Sequence, residues 1–263
     1  GTHCVKWDGM EQIYGVDAQD GIAMWVADME FQPPACVQDA VKAMHDHGVY
    51  GYFGDDSKYL AAIQWWMETR HGWKIDPSWI FTTHGLVNGT AGCVDAFTKP
   101  DDGVVLFTPV YHAFAKVISA AGRQVVECNL VNDNGRYEFD FDAYDAQMTG
   151  NERMVILCSP HNPGGRVWSK GELRAVAAFA KRHSLILVSD EIHHDLTFPG
   201  AVHTPMSHID GIEDRLVMMT ATTKTFNIPG SHSGNVIIED PDLRAVFGAR
   251  MAAMGLSPNS FGL

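Results

Sequence analysis

The sequence predicts an α/β fold in which a mostly parallel sheet carries helices on both faces, with a small N-terminal segment attached. Three observations predict it. Short apolar runs of strand length recur along the chain, and helical patterns fall between several of them. Most of the runs are continuously apolar rather than alternating, as expected of strands covered on both faces.

The elements follow in chain order. Pro33-Pro34 opens a helix whose apolar stripe is Val37, Ala40, Val41 and Met44, with Gly48 suited to its C-terminal cap. A second helix begins near Ser57, carries Leu60, Ile63, Trp66 and Met67, and stops at Gly72. Strand candidates lie at 79–83, 103–107, 123–128, 153–158, 185–189, 215–220 and 235–238. The clearest intervening helix runs from Ser169 to His183. Ser169 and Glu172 form a capping box there, and Leu173, Val176, Ala177 and Ala180 form the buried stripe. Strands alternating with helices imply right-handed crossovers and a doubly wound sheet. The expected division is an N-terminal arm or part of a small domain at 1–48 and a large domain at 49–263.

Composition narrows the function. The chain has 263 residues, 46% of them apolar, enough for a large core. No apolar run approaches the roughly 18 residues of a membrane span, and no signal peptide is evident. A formal net charge of -13 disfavours a nucleic-acid surface. An anionic small molecule remains compatible if backbone N–H groups, hydroxyls or a few local cations hold it. The five cysteines are scattered and form no C-x-x-C pair, so reduced thiols in the cytoplasm are expected. The chain starts at Gly1 and ends on the loop-like stretch SPNSFGL at 257–263.

In an open α/β sheet, ligands bind beyond the carboxyl ends of the strands. Five strand ends here are followed by chemically equipped loops. The first brings His84 and a glycine-led helix start at Gly85, Leu86 and Val87. The second brings Tyr111, and the third Asn162 in Ser159–Gly165. The fourth brings Asp190, Glu191 and His193, and the fifth Thr222, Thr223 and Lys224. These parts suit an aldehyde cofactor that carries a phosphate and a pyridine ring. A lysine of lowered pKa forms an imine with the aldehyde. Asp190 keeps the ring nitrogen protonated, and Tyr111 stacks on the ring. Asn162 and His193 donate hydrogen bonds to a ring oxygen. The N–H groups at Gly85, Leu86 and Val87 hold the phosphate, and Thr222 and Thr223 add hydroxyls.

Blander roles stand beside these. Lys224 taken alone is a solvated surface charge. Asn162 suits an Asx-type turn and Tyr111 an ordinary core position. Asp190-Glu191 with His193-His194 lacks evident metal-ligand spacing, so no metal is expected. Trp65-Trp66 and Trp79 suit core or interface. Residues 85–89 do not form a dinucleotide-binding glycine motif.

Six motifs occur in a fixed order: Lys6-Trp7-Asp8, MWVADMEF at 24–31, YGYFG at 50–54, SPHNPGGRVW at 159–168, SDEIHHDL at 189–196 and TKTFNIPG at 223–230. Together they resemble the fold-type-I pyridoxal-phosphate enzymes of the aminotransferase class I/II superfamily, and within it the cystathionine β-lyase (C–S lyase) branch. The resemblance implies that Lys224 binds pyridoxal 5'-phosphate covalently and later moves protons. It implies the ring and phosphate roles above for Asp190, Asn162, His193, Tyr111, Gly85, Leu86 and Val87. It further implies that Tyr52 reaches the phosphate of a neighbouring subunit in a homodimer with shared sites. Trp25, Ala27 and Asp28 should border the substrate.

Two departures from the family pattern stand out. His232 occupies the position, eight residues after the lysine, where relatives outside this branch often carry a phosphate-binding arginine. The chain also stops where the family's C-terminal domain, with its substrate-carboxylate arginine, would begin, so that domain is expected to be missing. The implied activity is β-elimination on cystathionine or cysteine, giving a thiol, pyruvate and ammonia. An aminotransferase, or a truncated cofactor-binding chain without activity, shares every cofactor residue named.

Overall fold

The computed structural model describes residues 2–257 and 259–262, so Pro258 and Leu263 of the closing SPNSFGL lie outside the described residues. Two short helices, α1 (Val5–Asp8) and α2 (Met10–Tyr14), precede α3 (Ala35–His47) and α4 (Ser57–His71). Then come β1 (Ile80–Thr83), α5 (Leu86–Phe97), β2 (Gly103–Thr108), α6 (His112–Ala120) and β3 (Gln124–Asn129). A hairpin of β4 (Val131–Asp133) and β5 (Arg136–Glu138) leads to α7 (Phe141–Gln147). The chain continues through β6 (Glu152–Cys158), α8 (Lys170–Arg182), β7 (Ile186–Asp190), β8 (Leu216–Thr220), β9 (Gly234–Ile237) and α9 (Pro241–Met254).

Seven strands form one sheet in the order β1-β9-β8-β7-β6-β2-β3. All seven coincide, within a residue or two, with the strand candidates of the sequence. The pairs β8–β7, β7–β6, β6–β2 and β2–β3 are parallel. Strand β9 runs antiparallel to both β1 and β8, so it alone is reversed and its first residue, Gly234, lies at the edge where the other strands end.

The apolar strand runs serve two cores. Val105, Phe107, Val155, Leu157, Leu187 and Met218 enter one buried cluster, while Val104, Leu106, Met154, Ile156, Val188 and Met219 enter the other. Successive side chains on a strand point to opposite faces. A strand buried on both faces therefore reads as an uninterrupted apolar run. Helices α4 and α8 cover the first face, with Ile63 and Met67 of α4 and Leu173, Val176 and Phe179 of α8 in that cluster. Helix α5 covers the second with Leu86, Cys93 and Val94. The capping box of α8 forms as expected: Ser169 Oγ accepts from Glu172 N–H at 3.2 Å and Glu172 Oε2 accepts from Ser169 N–H at 2.7 Å.

Helix α3 differs from its expectation. Its boundaries and its left-handed cap at Gly48 (φ 70°) match, but it holds no buried residue. Periodicity marks a face suited to burial; whether anything covers it is a tertiary matter. Among the described residues, no helix is long and apolar enough to cross a membrane.

Candidate active site

The five equipped loops all leave the same edge of the sheet, because β1, β2, β6, β7 and β8 point the same way. Backbone bonds tie the inner loops together: Ser159 N–H donates to the Asp190 carbonyl and Glu191 N–H to the Met219 carbonyl, both at 2.9 Å.

Asp190, the last residue of β7, is buried at 5% exposure. Burial pushes its carboxyl up to about 7. The Glu191 charge adds to this, while the Ile192 N–H, donating at 3.1 Å, and the Lys224 charge oppose it. Lys224 is half-buried and donates to the Ala27 carbonyl at 3.1 Å. Burial lowers its pKa, against the raising influence of Asp28 and Asp190. Each of Lys224 and Asp190 thus feels the other's charge, which places the amine and the carboxylate in one electrostatic neighbourhood.

His193 joins them. Burial, followed by the charges of Lys224 and His194, lowers its pKa to about 4, so the ring is neutral at physiological pH. Tyr111, half-buried just before α6, has its phenol raised by burial and by the Asp190 charge. Gly85 starts α5 with φ 79°, a left-handed conformation that favours glycine. Leu86 and Val87 follow in the first turn, where backbone N–H groups lack intrahelical acceptors. Gly234 crosses directly over this turn: a Cβ there would lie 2.7 Å from Leu86 Cδ2 and 3.0 Å from the Gly85 carbonyl carbon. His232 precedes it with a left-handed backbone, φ 50°.

Asn162 is half-buried in a loop that is tightly held. The Arg166 guanidinium donates to the Tyr137 carbonyl and to Glu172 Oε1, and it lies 4.7 Å from the Trp168 ring. His161, buried beside it, contacts the Pro109 carbonyl through Nε2 at 2.8 Å. Thr223 is buried, whereas Thr222 is exposed.

The N-terminal segment reaches the same edge. Asp28 accepts from Cys4 Sγ at 2.9 Å, its backbone carbonyl accepts from Lys6 Nζ at 2.7 Å, and its Oδ1 is buried without a hydrogen bond among the described residues, with Lys6 Nζ 3.9 Å away. Trp25 donates to the Lys6 carbonyl at 2.9 Å and meets Tyr14 edge-on at 5.3 Å. Tyr52 is fully exposed, in a stretch without regular structure. Trp65 is exposed and Trp66 half-buried.

The Asp190–His194 run separates spatially. Asp190 and His193 feel the Lys224 charge, while Glu191 bonds His203, with His203 Nε2 at 2.7 Å. His194 stacks on His71 at 4.0 Å and approaches Asp195 at 3.4 Å. The groups His71–His194–Asp195 and Glu191–His194–His203 each bring candidate ligand atoms within 4.8 Å. Their carboxylates already take hydrogen bonds from the imidazoles, so each charge has a partner within the protein. His71, His203, Asp195 and Thr225 drew no attention in the sequence. Asp195 and Thr225 lie inside quoted motifs, but nothing local marks the residues they meet.

Residues 24–259 match the family model "Aminotransferase class I and II". The chain belongs to the aminotransferase class I and II family. Relatives in this family include cystathionine beta-lyase PatB of Bacillus subtilis (strain 168), 39% identical over 97% of this chain and 66% of the relative. Protein MalY of Escherichia coli (strain K12) is 31% identical over 99% of this chain and 66% of its own length. The chain thus spans just under two thirds of these relatives. Among solved structures, cystalysin from Treponema denticola, which contains a pyridoxal 5'-phosphate cofactor, superposes with a TM-score of 0.92 at 38% identity, over 99% of this chain and 67% of that one. The pyridoxal-phosphate-bound C–S lyase from Staphylococcus hominis gives 0.90 at 29% identity, over 99% and 66%.

Proposed function

We propose that the chain is the cofactor-binding part of a pyridoxal-phosphate C–S lyase that acts on a sulfur amino acid such as cystathionine or cysteine. The observation that carries this is the placement of a half-buried lysine and a buried carboxylate beyond the same ends of the neighbouring parallel strands β8 and β7, where each feels the other's charge. The donor set fits the cofactor: an amine, a buried carboxylate, a neutral imidazole, an aromatic ring and a glycine-led helix start share one edge. When bound, pyridoxal phosphate supplies an amine-reactive aldehyde and an electron-accepting ring.

The protein's own residues divide the remaining work. Lys224 attaches the cofactor and carries a proton at Nζ, which burial makes easier to release. Asp190 holds a proton on the ring nitrogen; a cation brought against it offsets the burial that raises its own pKa. His193, uncharged, and Asn162 donate to the ring oxygen. Tyr111 covers the ring face, and Gly85, Leu86, Val87, Thr222 and Thr223 receive the phosphate. Trp25, Ala27 and Asp28 border the substrate, a role supported by the bond from Lys224 to the Ala27 carbonyl.

Sulfur amino-acid specificity is supported by the relatives named cystathionine beta-lyase and C–S lyase. A homodimer in which Tyr52 enters the partner's site is supported by the full exposure of that tyrosine. Five free cysteines fit a reducing, cytoplasmic setting.

Two measurements test the proposal. Borohydride reduction after incubation with pyridoxal phosphate should fix one cofactor to the peptide containing Lys224, and Lys224→Ala should take up none. In a separate, unreduced sample of the full-length protein loaded with pyridoxal phosphate, incubation with cystathionine should release thiol and pyruvate. Attachment elsewhere refutes the site. Amino-group exchange with a 2-oxoacid, without thiol, refutes the lyase and leaves an aminotransferase.

A further inference from the structure

Asp195 lies five residues beyond Asp190 and is almost completely buried, its side chain 6% exposed. Its carboxylate collects donors from three separate parts of the chain. From α4 come His71 Nε2 at 2.8 Å and Trp66 Nε1 at 3.1 and 3.2 Å from the two oxygens. From the turn after β8 comes Thr225 Oγ1 at 2.8 Å. From its own loop comes His194 Nε2 at 3.4 Å. Thr225 immediately follows Lys224.

One carboxylate therefore bonds the turn carrying Lys224, and both it and the loop carrying Asp190 are anchored to the same helix. We propose that Asp195 is a positioning residue which, through the Thr225 hydroxyl, fixes the Lys224 turn relative to Asp190. The role assumes, with the proposed function, that Lys224 is the reactive amine.

Three features support it. A buried carboxylate is costly unless its lone pairs are filled, and once filled by several segments it becomes a rigid junction. Burial would raise the Asp195 pKa. The hydrogen bonds from His194 and His71, the His194 charge and the Thr225 hydroxyl outweigh burial and hold the carboxyl well below the usual range, so the junction keeps its charge at every physiological pH. The backbone bonds of the Lys224 turn run within residues 222–228, from Phe226 N–H to Thr222, Asn227 N–H to Lys224 and Ile228 N–H to Thr223, and its Lys224 and Asn227 side chains bond the segment 27–31, so the Thr225 hydroxyl makes the side-chain hydrogen bond that ties it to the loop following Asp190.

The test reads Lys224 directly. Trace acetylation with acetic anhydride across a pH series, followed by peptide mapping, gives a labelling profile for this amine in the chain without cofactor. Asp28, Asp190 and His193 are the titratable groups facing it. Thr225→Val removes the hydroxyl; it should free the turn, let Lys224 reach water and move the profile midpoint up towards that of an exposed lysine. Thr225→Ser should restore the parental midpoint, and Asp195→Asn should move it as valine does. A valine profile that superimposes on the parent's, with native circular dichroism, overturns the proposal. If Asp195→Asn does not fold, the Thr225 pair carries the test alone. No pyridoxal phosphate takes part, so failure of cofactor attachment would count against the proposed function and not against this role.

Discussion

The Asn227 carboxamide pairs with the backbone of Met29, accepting from its N–H and donating to its carbonyl, both at 2.8 Å, across 198 residues of sequence. It also donates to the Phe31 carbonyl at 2.6 Å. Asn227 itself has φ 54°, a left-handed backbone that asparagine tolerates well. One side chain thus staples the segment 24–31, with Ala27 and Asp28, to the loop that follows Lys224. Asn227→Ala should release that segment. Losing three hydrogen bonds costs on the order of 1–2 kcal/mol, so limited proteolysis within residues 17–31 should accelerate roughly tenfold. Unchanged cleavage kinetics would show the staple to be idle.

Asp190 predicts a pH dependence for the chain without cofactor. Its carboxyl rises from 3.8 to about 7 on folding, so the folded state binds the proton more tightly than the unfolded one. Stability from this group is full below pH 3.8 and falls as pH rises to about 7, by an order of a few kcal/mol. Asp190→Asn should remove the loss. The variant should gain melting temperature relative to the parent from pH 4 to 7 and hold that gain above. Parallel melting curves for the two proteins over this range would contradict the assignment.

His193 should behave in the opposite sense. Its folded pKa, about 4, lies below the ordinary 6.5, so its contribution is complete above pH 6.5 and declines as pH falls towards 4. In a histidine NMR titration its ring should stay neutral to about pH 4. The Lys224 charge helps to hold the value down, so Lys224→Ala should move the His193 midpoint upward. A midpoint that ignores the lysine would separate the two residues.

Gly234→Ala should disturb the Gly85 turn. The new methyl would meet Leu86 Cδ2 and the Gly85 backbone at 2.7 and 3.0 Å, closer than real contacts allow. Overpacking of this kind costs about 1–3 kcal/mol. Pyridoxal phosphate should bind more weakly in the variant by equilibrium dialysis, while the α8 capping box, on the opposite face, stays intact. Unaltered affinity would place phosphate binding elsewhere.

Much of this was legible in the amino-acid order. A strand buried on both faces must be apolar at every position, so 103–107, 153–158 and 215–220 announced themselves. Ser169 and Glu172 announced a helix start because both bonds of a capping box close within four residues. A topological rule, that loops following parallel strands share an edge, made Lys224, Asp190, His193 and Tyr111 candidates for one site. The hairpin at 131–138 escaped, since two three-residue strands with polar faces carry no distinctive period. The exposed state of α3 escaped because its stripe looks the same whether covered or bare.

The sequence by itself determined the element types, the parallel sheet and which residue types stand beyond the carboxyl ends of its strands, because these follow from local periodicity and strand direction. Only the tertiary structure decided that β9 is reversed, that Gly234 lies over Gly85, that Asn227 holds Met29, and that Asp195 collects His71, Trp66 and Thr225. Each of these joins residues far apart along the chain, and a buried carboxylate or carboxamide is satisfied by whichever donors and acceptors the packing brings within 3 Å, which no local pattern specifies.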